Sequence, residues 1–261
     1  MSIVINKKSA FANKPRAVLF DIDNTLYPYD PAHEQGMQAV VEKVKQSLGF
    51  EEKVFLDAFD RAKEIVKGRL GDTASSHNRL LYMQIALELL GLKTQLYMAL
   101  DLEQTYWRTF LASAELFPGA ADFLQMLRRA GIATAVVTDL GAQIQFRKLI
   151  YFRLNDTFDF VVTSEEAGIE KPAAAPFELA LGKLAVDPAE AIMIGDGAMT
   201  DIEGAKELGM ATAQKRHAGV KVLADKRGPD LAFDDFTELA GFFAECGWLE
   251  TPAGKKARKK V

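Results

Sequence analysis

Short apolar runs alternate with amphipathic segments over most of the chain. The run Arg16–Phe20 stops at Asp21 and predicts a buried strand. Further apolar runs predict strands at Ala133–Val137, Phe158–Val162, Ala191–Ile194, Thr212–Gln214 and Leu231–Phe233. Amphipathic spacing predicts helices from Pro118 to Ala130 and over Ala142–Ile150, Pro176–Leu184, Asp201–Leu208 and Phe236–Glu245. Because helices of this length separate the strands, we expect parallel pairing through right-handed crossovers.

This alternation predicts an α/β fold whose core is a Rossmann-like parallel sheet in a three-layer arrangement. A long segment, residues 31–113, interrupts the pattern after the first strand with helical spacing and almost no strand signal. Its apolar stripes are Val40, Val41, Val44 and Leu48; Leu80, Leu81, Ile85 and Leu89; and Leu96, Leu100, Tyr106 and Phe110. We therefore expect an all-helical domain that is inserted after the first strand and stands on the sheet.

These patterns divide the chain into four expected parts. The α/β core comprises residues 15–29 and 114–247, and the helical insertion comprises residues 30–113. Residues 1–14 form an N-terminal extension. Residues 248–261 form a basic flexible tail, because charged residues without apolar partners stay solvated at a chain end.

Composition and charge exclude several classes of protein. The net charge is −4 although the tail is basic, so the rest of the chain is acidic and we expect no nucleic-acid partner. No apolar run approaches the roughly 18 to 20 residues of a membrane-spanning helix, and we expect no membrane partner. Cys246 is the only cysteine, which excludes an intramolecular disulfide and fits a reducing compartment. We expect a cytoplasmic protein; the sequence does not specify its oligomeric state.

Charged and hydroxyl side chains follow four of the predicted strands. Because open parallel sheets bind ligands at the carboxyl ends of their strands, these side chains are expected to line one site. They are Asp21, Asp23 and Thr25 after the first strand, Thr138 and Asp139 after the second, Lys171 after the third, and Asp196 and Asp201 after the fourth.

This set of side chains fits a divalent cation and a phosphoryl group. Converging carboxylates repel one another, and a bound cation makes such a cluster tolerable. Oxygen ligands without histidine or cysteine favour Mg²⁺, and the chain's three histidines lack the spacing of a zinc site. Thr138, Lys171 and loop N–H groups can supply donors to a phosphate. An aspartate can then attack phosphorus in line, giving an aspartyl phosphate that water hydrolyses.

The chain resembles the haloacid dehalogenase-like (HAD) hydrolase superfamily in four motifs. They are Asp21-x-Asp23-x-Thr25, Thr138, Lys171-Pro172 and Gly195-Asp196-x4-Asp201. Each motif alone arises often by chance, but the four occur in order at predicted strand ends, and the resemblance covers about residues 16–243. The helical insertion resembles the C1 cap of that superfamily, which closes over the site.

The resemblance implies separate roles for the first two aspartates. Asp21 would be the nucleophile and a Mg²⁺ ligand. Asp23 would be the general acid to the leaving oxygen and then the general base to water, with its backbone carbonyl on the metal. Dehalogenases of this superfamily lack a carboxylate two residues after the nucleophile, because a halide needs no protonation. Asp23 therefore points to phosphate chemistry, in which an alkoxide must be protonated.

The resemblance also assigns the remaining motif residues. Thr138 and Lys171 would hold the phosphoryl oxygens, and Lys171 would also restrain the nucleophile. Asp196 would ligate the metal, while Asp201 would act directly or through a water or Lys171. Asp139 is a departure, since many relatives have Asn after the second-motif Thr or Ser. A carboxylate facing phosphate would weaken binding, so we expect the Asp139 backbone N–H to face the ligand.

We expect a Mg²⁺-dependent phosphomonoesterase that acts on a small phosphorylated metabolite through an aspartyl phosphate. A cap of about 80 residues favours a small substrate, because its closure excludes water and bulky phosphoproteins. Residues 21–28 resemble pyrimidine 5′-nucleotidase-like members, whereas residues 116–209 are similar to N-acylneuraminate-9-phosphatase-like members. The substrate is thus a nucleoside monophosphate or a sugar or sugar-acid phosphate.

Two other functions stay open. A phosphomutase of the same superfamily would share the Asp21 and Asp23 chemistry but must exclude water. A phospho-acceptor signalling module would also use an Asp cluster, a Thr and a Lys on a parallel sheet. In receiver domains, however, the acceptor Asp lies on a later strand and no large helical insertion follows the first.

Other polar residues are interpreted as structural. The candidates for substrate contacts in the insertion are His33, Arg69, His77 and Arg79, but surface or cap-interior roles are the preferred interpretation. Arg147 and Lys148 are interpreted as a solvated helix face.

Overall fold

The computed structural model describes residues 3–223 and 226–250. Its strands are β1 (Val4–Ile5), β2 (Ala17–Phe20), β3 (Ala133–Thr138), β4 (Phe160–Thr163), β5 (Ala191–Gly195), β6 (Ala211–Lys215) and β7 (Leu231–Phe233). They form one sheet in the order β1-β7-β6-β5-β2-β3-β4, in which all neighbours are parallel except β1 and β7. The predicted α/β fold is confirmed. The antiparallel edge strand β1 was not predicted, because two residues are too few to give an alternating pattern.

The α-helices of the described residues fall in or near the predicted segments, except α7, which was not predicted. They are α1 (Tyr29–Leu48), α2 (Glu52–Leu70), α3 (Arg79–Leu89), α4 (Leu96–Ser113), α5 (Ala120–Arg129), α6 (Ala142–Tyr151), α7 (Ser164–Ala167), α8 (Ala174–Leu184), α9 (Gly204–Glu207) and α10 (Phe236–Glu245). The helix expected over Asp201–Leu208 begins earlier, as a π-helical segment at Ala198–Glu203 that precedes α9. Such widened turns are frequent at functional sites.

Strand β2 lies at the point where the strand order reverses. Phe20 pairs with Val136 of β3 on one side and with Ile194 of β5 on the other. The chain passes from β2 to β3 in one direction along the sheet, and β5 continues the sheet in the other direction. In open α/β sheets this switch point leaves a crevice at the carboxyl ends of the strands, where ligands bind.

Alternate residues of β2 face opposite layers of the molecule. Val18 and Phe20 belong to one buried cluster, and Phe20 packs against Phe123 of α5 with ring centroids 6.3 Å apart. Ala17 and Leu19 belong to a second cluster that contains residues of α8. The period of two along a strand therefore produces the predicted three layers.

The helical insertion comprises α1 to α4, as predicted. Helices α1 and α4 approach closely at Gly36, where a Cβ would lie 2.9 Å from a ring atom of Tyr106. The interior of the insertion belongs to the same buried cluster as Val18 and Phe20 of the sheet. Two of the predicted stripes are only partly buried. In α4, Leu96 is 67% exposed. In α3, none of the predicted stripe is fully buried, and the buried residues are instead Tyr82, Met83, Ala86 and Leu87.

The chain remains packed beyond α10. Trp248 and Leu249, at the start of the predicted tail, are buried, and the Trp248 ring lies 5.0 Å from the ring of Phe243. Residues 251–261 of that tail lie outside the described residues. Within the described part of the chain, no helix combines the length and the apolar character that crossing a bilayer requires.

Candidate active site

All four predicted motifs meet at the carboxyl ends of β2, β3 and β5. The backbone N–H of Asp21 donates to the carbonyl of Ile194 at 3.0 Å, which continues the pairing of β2 with β5 and places Asp21 at the switch point. A cavity of about 480 Å³ opens there. The predicted residues that line it are Asp21, Asp23, Thr138, Asp139, Lys171, Asp196 and Asp201.

Three of these aspartates form a carboxylate cluster. Asp21, Asp196 and Asp201 each offer one carboxylate oxygen, and these oxygens lie within 4.8 Å of one another. Burial raises the pKa of Asp21 to about 6, although Lys171 opposes the rise. Burial, with the charges of Asp21 and Asp201, raises the pKa of Asp196 to about 8. The oxygens of the cluster lie close enough to share one hard cation, which would relieve the repulsion that helps to raise these pKa values.

Lys171 joins the cluster to the second motif. Its Nζ donates to Asp21 Oδ1 at 2.8 Å and to Asp201 Oδ1 at 2.7 Å, and it lies 4.0 Å from Asp139 Oδ2. Burial lowers the pKa of Lys171, but Asp201, Asp21 and Asp139 together raise it well above its usual value. The ammonium group therefore stays charged and fixes the Asp21 carboxylate in place.

Asp201 is held on both of its oxygens. Oδ1 accepts from Lys171, and Oδ2 accepts from the backbone N–H of Gly197 at 2.9 Å. Gly195 makes this approach possible, because a Cβ at that position would lie 2.4 Å from Asp201 Oδ2. Gly195 of the fourth motif is therefore required because no larger residue leaves room for the Asp201 carboxylate.

The Asp23 carboxylate turns away from the cluster. Lys148 Nζ donates to its two oxygens at 2.6 and 2.7 Å, and the Tyr27 hydroxyl donates to Oδ1 at 2.5 Å. The interpretation of Lys148 as a solvated residue is wrong, since its side chain is fully buried; Arg147 is exposed. Gln145, Lys148 and Leu149 repeat at helical spacing, and this repeat is the signal that could have indicated a buried face.

Gln145 is a second residue that sequence reasoning missed. Its Nε2 donates to Thr138 Oγ1 at 2.9 Å and to the carbonyl of Asp139 at 2.6 Å. Asp139 Oδ1 accepts from the backbone N–H of Lys171 at 3.0 Å, and burial raises the pKa of the Asp139 carboxyl. The side chains of the second motif are thus held by their neighbours.

The insertion supplies the opposite side of the cavity. The cap residues that line it are Tyr29, Lys63, Lys67, His77, Arg79 and Tyr82. Of the four candidates named from the sequence, His77 and Arg79 line the cavity. His33 instead lies with its Nδ1 2.8 Å from the Tyr106 hydroxyl, and Arg69 is exposed. Lys63 and Lys67 were not identified from the sequence.

Comparison with known proteins agrees with this geometry. Residues 15–209 match the family of haloacid dehalogenase-like hydrolases. The chain is 41% identical to the ribulose-1,5-bisphosphate 5-phosphatase of Halopiger xanaduensis over 198 residues, which cover 75% of this chain and 82% of that protein. It is 30% identical to the glyceraldehyde 3-phosphate phosphatase of Methanopyrus kandleri, over 86% of this chain and 95% of that protein.

Solved structures show the same fold. The HAD phosphatase from Thermococcus onnurineus has a TM-score of 0.65 at 26% identity, over 87% of this chain and 97% of that one. The HAD-hydrolase YfnB from Bacillus subtilis, solved with bound magnesium, has a TM-score of 0.68 at 20% identity, over 89% and 100% of the two chains. With four motifs at adjoining strand ends and a family match over most of its length, the chain belongs to the haloacid dehalogenase-like hydrolases and is a capped phosphatase that acts on phosphoric monoesters.

Proposed function

We propose that the protein hydrolyses a small sugar phosphate with Mg²⁺ through a phosphorylated Asp21. The observation that carries this proposal is the position of Lys171, whose ammonium group holds the Asp21 and Asp201 carboxylates beside Asp196. The Asp21 carboxylate accepts from Lys171 on one oxygen and from the Thr25 hydroxyl at 3.1 Å on the other, and these contacts orient it for nucleophilic attack on phosphorus.

The donor set fits Mg²⁺. Side-chain oxygens of Asp21 and Asp196 and the backbone carbonyl of Asp23 would hold the ion. Asp201 would ligate the ion directly or act through Lys171 or a water; its Oδ1 accepts from Lys171 and its Oδ2 from the Gly197 N–H. When bound, Mg²⁺ supplies positive charge that neutralises the phosphoryl oxygens and stabilises their charge in the transition state.

The chain's own residues account for both halves of the reaction. Asp21 would attack phosphorus while Thr138 and Lys171 hold the phosphoryl oxygens. Asp23 would protonate the leaving oxygen of the sugar, so that the C–O bond stays intact and the P–O bond breaks. Asp23 would then take a proton from the water that attacks the aspartyl phosphate, which releases inorganic phosphate and restores Asp21.

Lys148 and Tyr27 would act as positioning residues for Asp23. Their contacts at 2.5 to 2.7 Å orient a carboxylate whose side chain is still 25% exposed to the cavity. Charge-assisted hydrogen bonds of this length fix the group through which a proton must pass.

Relatives favour a sugar phosphate among the substrates predicted from the sequence. The two relatives described above are named for ribulose 1,5-bisphosphate and glyceraldehyde 3-phosphate, which are small phosphorylated sugars. The resemblances to nucleotidase-like and N-acylneuraminate-9-phosphatase-like members stay predictions, as do the cytoplasmic location and the division into residues 15–29 with 114–247 and residues 30–113. A phosphomutase would transfer the phosphoryl group back to a sugar rather than to water, so release of inorganic phosphate separates the two activities.

The test is a hydrolysis assay with and without free Mg²⁺. We expect inorganic phosphate from p-nitrophenyl phosphate and from sugar phosphates with multiple turnovers, and loss of turnover in excess chelator with recovery on adding Mg²⁺. Undiminished turnover in chelator would refute the proposal. A phospho-acceptor module would instead keep the label on the protein without repeated turnover of an ester.

A further inference from the structure

The cap side of the cavity carries an array of positive charge. Lys63 and Lys67 lie one turn apart on α2, and Arg79 begins α3; all three line the cavity that contains Asp21. Residues at positions i and i+4 of a helix share one face. Both lysines are at exposed positions of α2, and neither ammonium forms a hydrogen bond or ion pair with any residue in the ranges 3–223 and 226–250. We call Lys63, Lys67 and Arg79 the cap cation array.

The positive charges of this array act on one another. Burial, Lys63 and Arg79 lower the pKa of Lys67, and Glu170 is the carboxylate that opposes them. Glu170 itself lies 3.2 Å from His77 Nε2. Like charges that converge on one cavity destabilise each other unless an anion joins them.

The guanidinium group of Arg79 is held in place by neighbouring residues of the cap. One terminal nitrogen donates to the Tyr29 hydroxyl at 2.6 Å and the other to the carbonyl of His77 at 3.2 Å. The guanidinium carbon lies 5.2 Å from the ring centre of Tyr82. Its Nε is buried and has no hydrogen-bond partner among the described residues. A buried donor left without a partner costs free energy, and a ligand oxygen would satisfy it.

We propose that the cap cation array binds a second phosphate, so that the substrate is a sugar bisphosphate spanning the cavity. This inference rests on the proposed function: one phosphate would meet Asp21 and Lys171, and the other would meet Lys63, Lys67 and Arg79. The volume of about 480 Å³ lies in the range of sites for small ligands.

The array predicts discrimination against sugar monophosphates. A monophosphate would leave three cations facing a neutral sugar end, and a site with unpaired charges binds such a ligand weakly. A guanidinium and two flexible ammonium groups can together bind a phosphate through charge-assisted hydrogen bonds. Binding energy from the second phosphate would also position the first one against Asp21.

A pair of double variants of α2 tests this inference. Lys63→Ala with Lys67→Ala removes two charges from the cavity. The control, Lys53→Ala with Arg61→Ala, removes two charges from positions of the same helix that do not line the cavity. The readout is kcat/KM for ribulose 1,5-bisphosphate, the substrate named for one relative, and for ribulose 5-phosphate and p-nitrophenyl phosphate.

We expect the cavity variant to lose about 100-fold in kcat/KM on the bisphosphate, at roughly tenfold per charge-assisted contact. Its losses on the two monophosphates should stay under about fivefold, and the control should retain wild-type values on all three. Arg79→Lys, which keeps the charge but not the planar guanidinium, should lose about tenfold more in kcat/KM on the bisphosphate than on the monophosphates. Equal losses on all substrates, or none on the bisphosphate, would overturn the second-phosphate subsite.

Binding separates failure of the subsite from failure of the proposed function. In Asp21→Asn, calorimetric titration with Mg²⁺ should show ribulose 1,5-bisphosphate binding at least about tenfold tighter than ribulose 5-phosphate. Adding Lys63→Ala and Lys67→Ala should abolish that difference. If wild-type protein turns over no ester but the difference persists, the subsite stands and the proposed function fails. Equal dissociation constants for the two ligands would remove the subsite whatever the activity.

Discussion

The two sides of the cavity differ in how their charges are satisfied. On the side of the strand ends, Lys171 is paired with Asp21 and Asp201, and Lys148 of α6 is paired with Asp23. On the cap side, the lysine ammonium groups of the cap cation array are without partners among the described residues. Charges that are paired within the protein are preorganised and need no ligand to hold their positions. Charges without a partner in the protein can be paired by a bound ligand. We infer that the strand ends determine the reaction and the cap determines the substrate.

The largest expected effect on activity is that of Asp21→Asn, on the side of the strand ends. The amide keeps the size of the side chain but removes the nucleophile, so we expect kcat to fall by at least about 10⁴-fold on every substrate. Steady-state hydrolysis of ribulose 1,5-bisphosphate and of p-nitrophenyl phosphate measures it. The cap variants, by contrast, should separate these two substrates.

The matched control is Asp57→Asn on the exposed face of α2, where the side chain is 67% exposed and pairs with Lys53. It should keep wild-type kcat, because surface pairs contribute little and lie outside the site. If Asp21→Asn keeps more than about a tenth of wild-type turnover, the chemistry does not pass through this carboxylate.

The second effect concerns the transfer of a proton from Asp23 to the leaving group rather than the attack on phosphorus. Lys148→Met removes the ammonium group that holds Asp23 and keeps an unbranched side chain of similar length. Loss of a supporting contact commonly costs about 10- to 100-fold in rate. Because p-nitrophenolate leaves without protonation, we expect the loss on a sugar phosphate to exceed the loss on p-nitrophenyl phosphate, as for Asp23→Asn.

Arg147→Met is the control, since the neighbouring side chain is exposed on the same helix. It should leave the ratio of the two rates unchanged. A structural defect in Lys148→Met would lower both rates by one factor, and thermal melting would show it. Equal losses on the two substrates would therefore exclude a role in orienting the proton donor.

The strand-end side was predictable because the motif residues come in the segments that follow the strands, several of them directly after a strand. Asp21 comes directly after β2 and Asp196 directly after β5, so the parallel sheet alone brings them together. Lys148 lies 125 positions from Asp23, and only the packing of α6 against the sheet makes them neighbours. Without the tertiary arrangement, a lysine beside an arginine in a helix is typical of a solvated face.

The cap side was not predictable in the same way. Helical periodicity located α2 and α3, but it does not specify how they are rotated over the sheet, and hence whether Lys63 and Lys67 face the cavity or solvent. The four histidines and arginines singled out in the cap were chosen by residue type, and two of them line the cavity. The positive charges of α2 and α3 meet at the cavity only because of the way in which the two helices pack in the insertion.

The third effect is the change in stability when a glycine on each side of the cavity is replaced by alanine. Gly195→Ala would place a Cβ 2.4 Å from Asp201 Oδ2, so we expect a loss of about 1–3 kcal/mol in the free energy of unfolding, together with reduced activity. Gly68→Ala in α2 meets nothing within 4 Å and should stabilise the protein by up to about 1 kcal/mol. Urea unfolding of both variants in chelator measures the difference. If Gly195→Ala is as stable as wild type, the close packing around Asp201 is absent in solution.

The smallest effect is a pH dependence that originates on the cap side. Burial, Arg79 and Lys63 lower the pKa of His33 to about 4, while Asp30 and Asp60 oppose the shift. The usual pKa of a histidine is 6.5. At a pH between about 6.5 and about 4, His33 binds a proton in the unfolded chain but not in the folded chain. The free energy of unfolding therefore decreases as the pH falls through this range. His33 is partly exposed, and solvent screening limits the effect to about 1 kcal/mol or less.

His33→Gln tests this pH dependence, because an amide can still bond the Tyr106 hydroxyl but does not titrate. The melting temperature of wild type should fall relative to that of His33→Gln between pH 6.5 and 4, and the two should run parallel above pH 7. Lys63→Ala should shrink the difference, since removing that charge brings the pKa of His33 back toward its usual value. A difference that Lys63→Ala leaves unchanged would mean that burial alone lowers the His33 pKa and that the positive field of the array does not reach this residue.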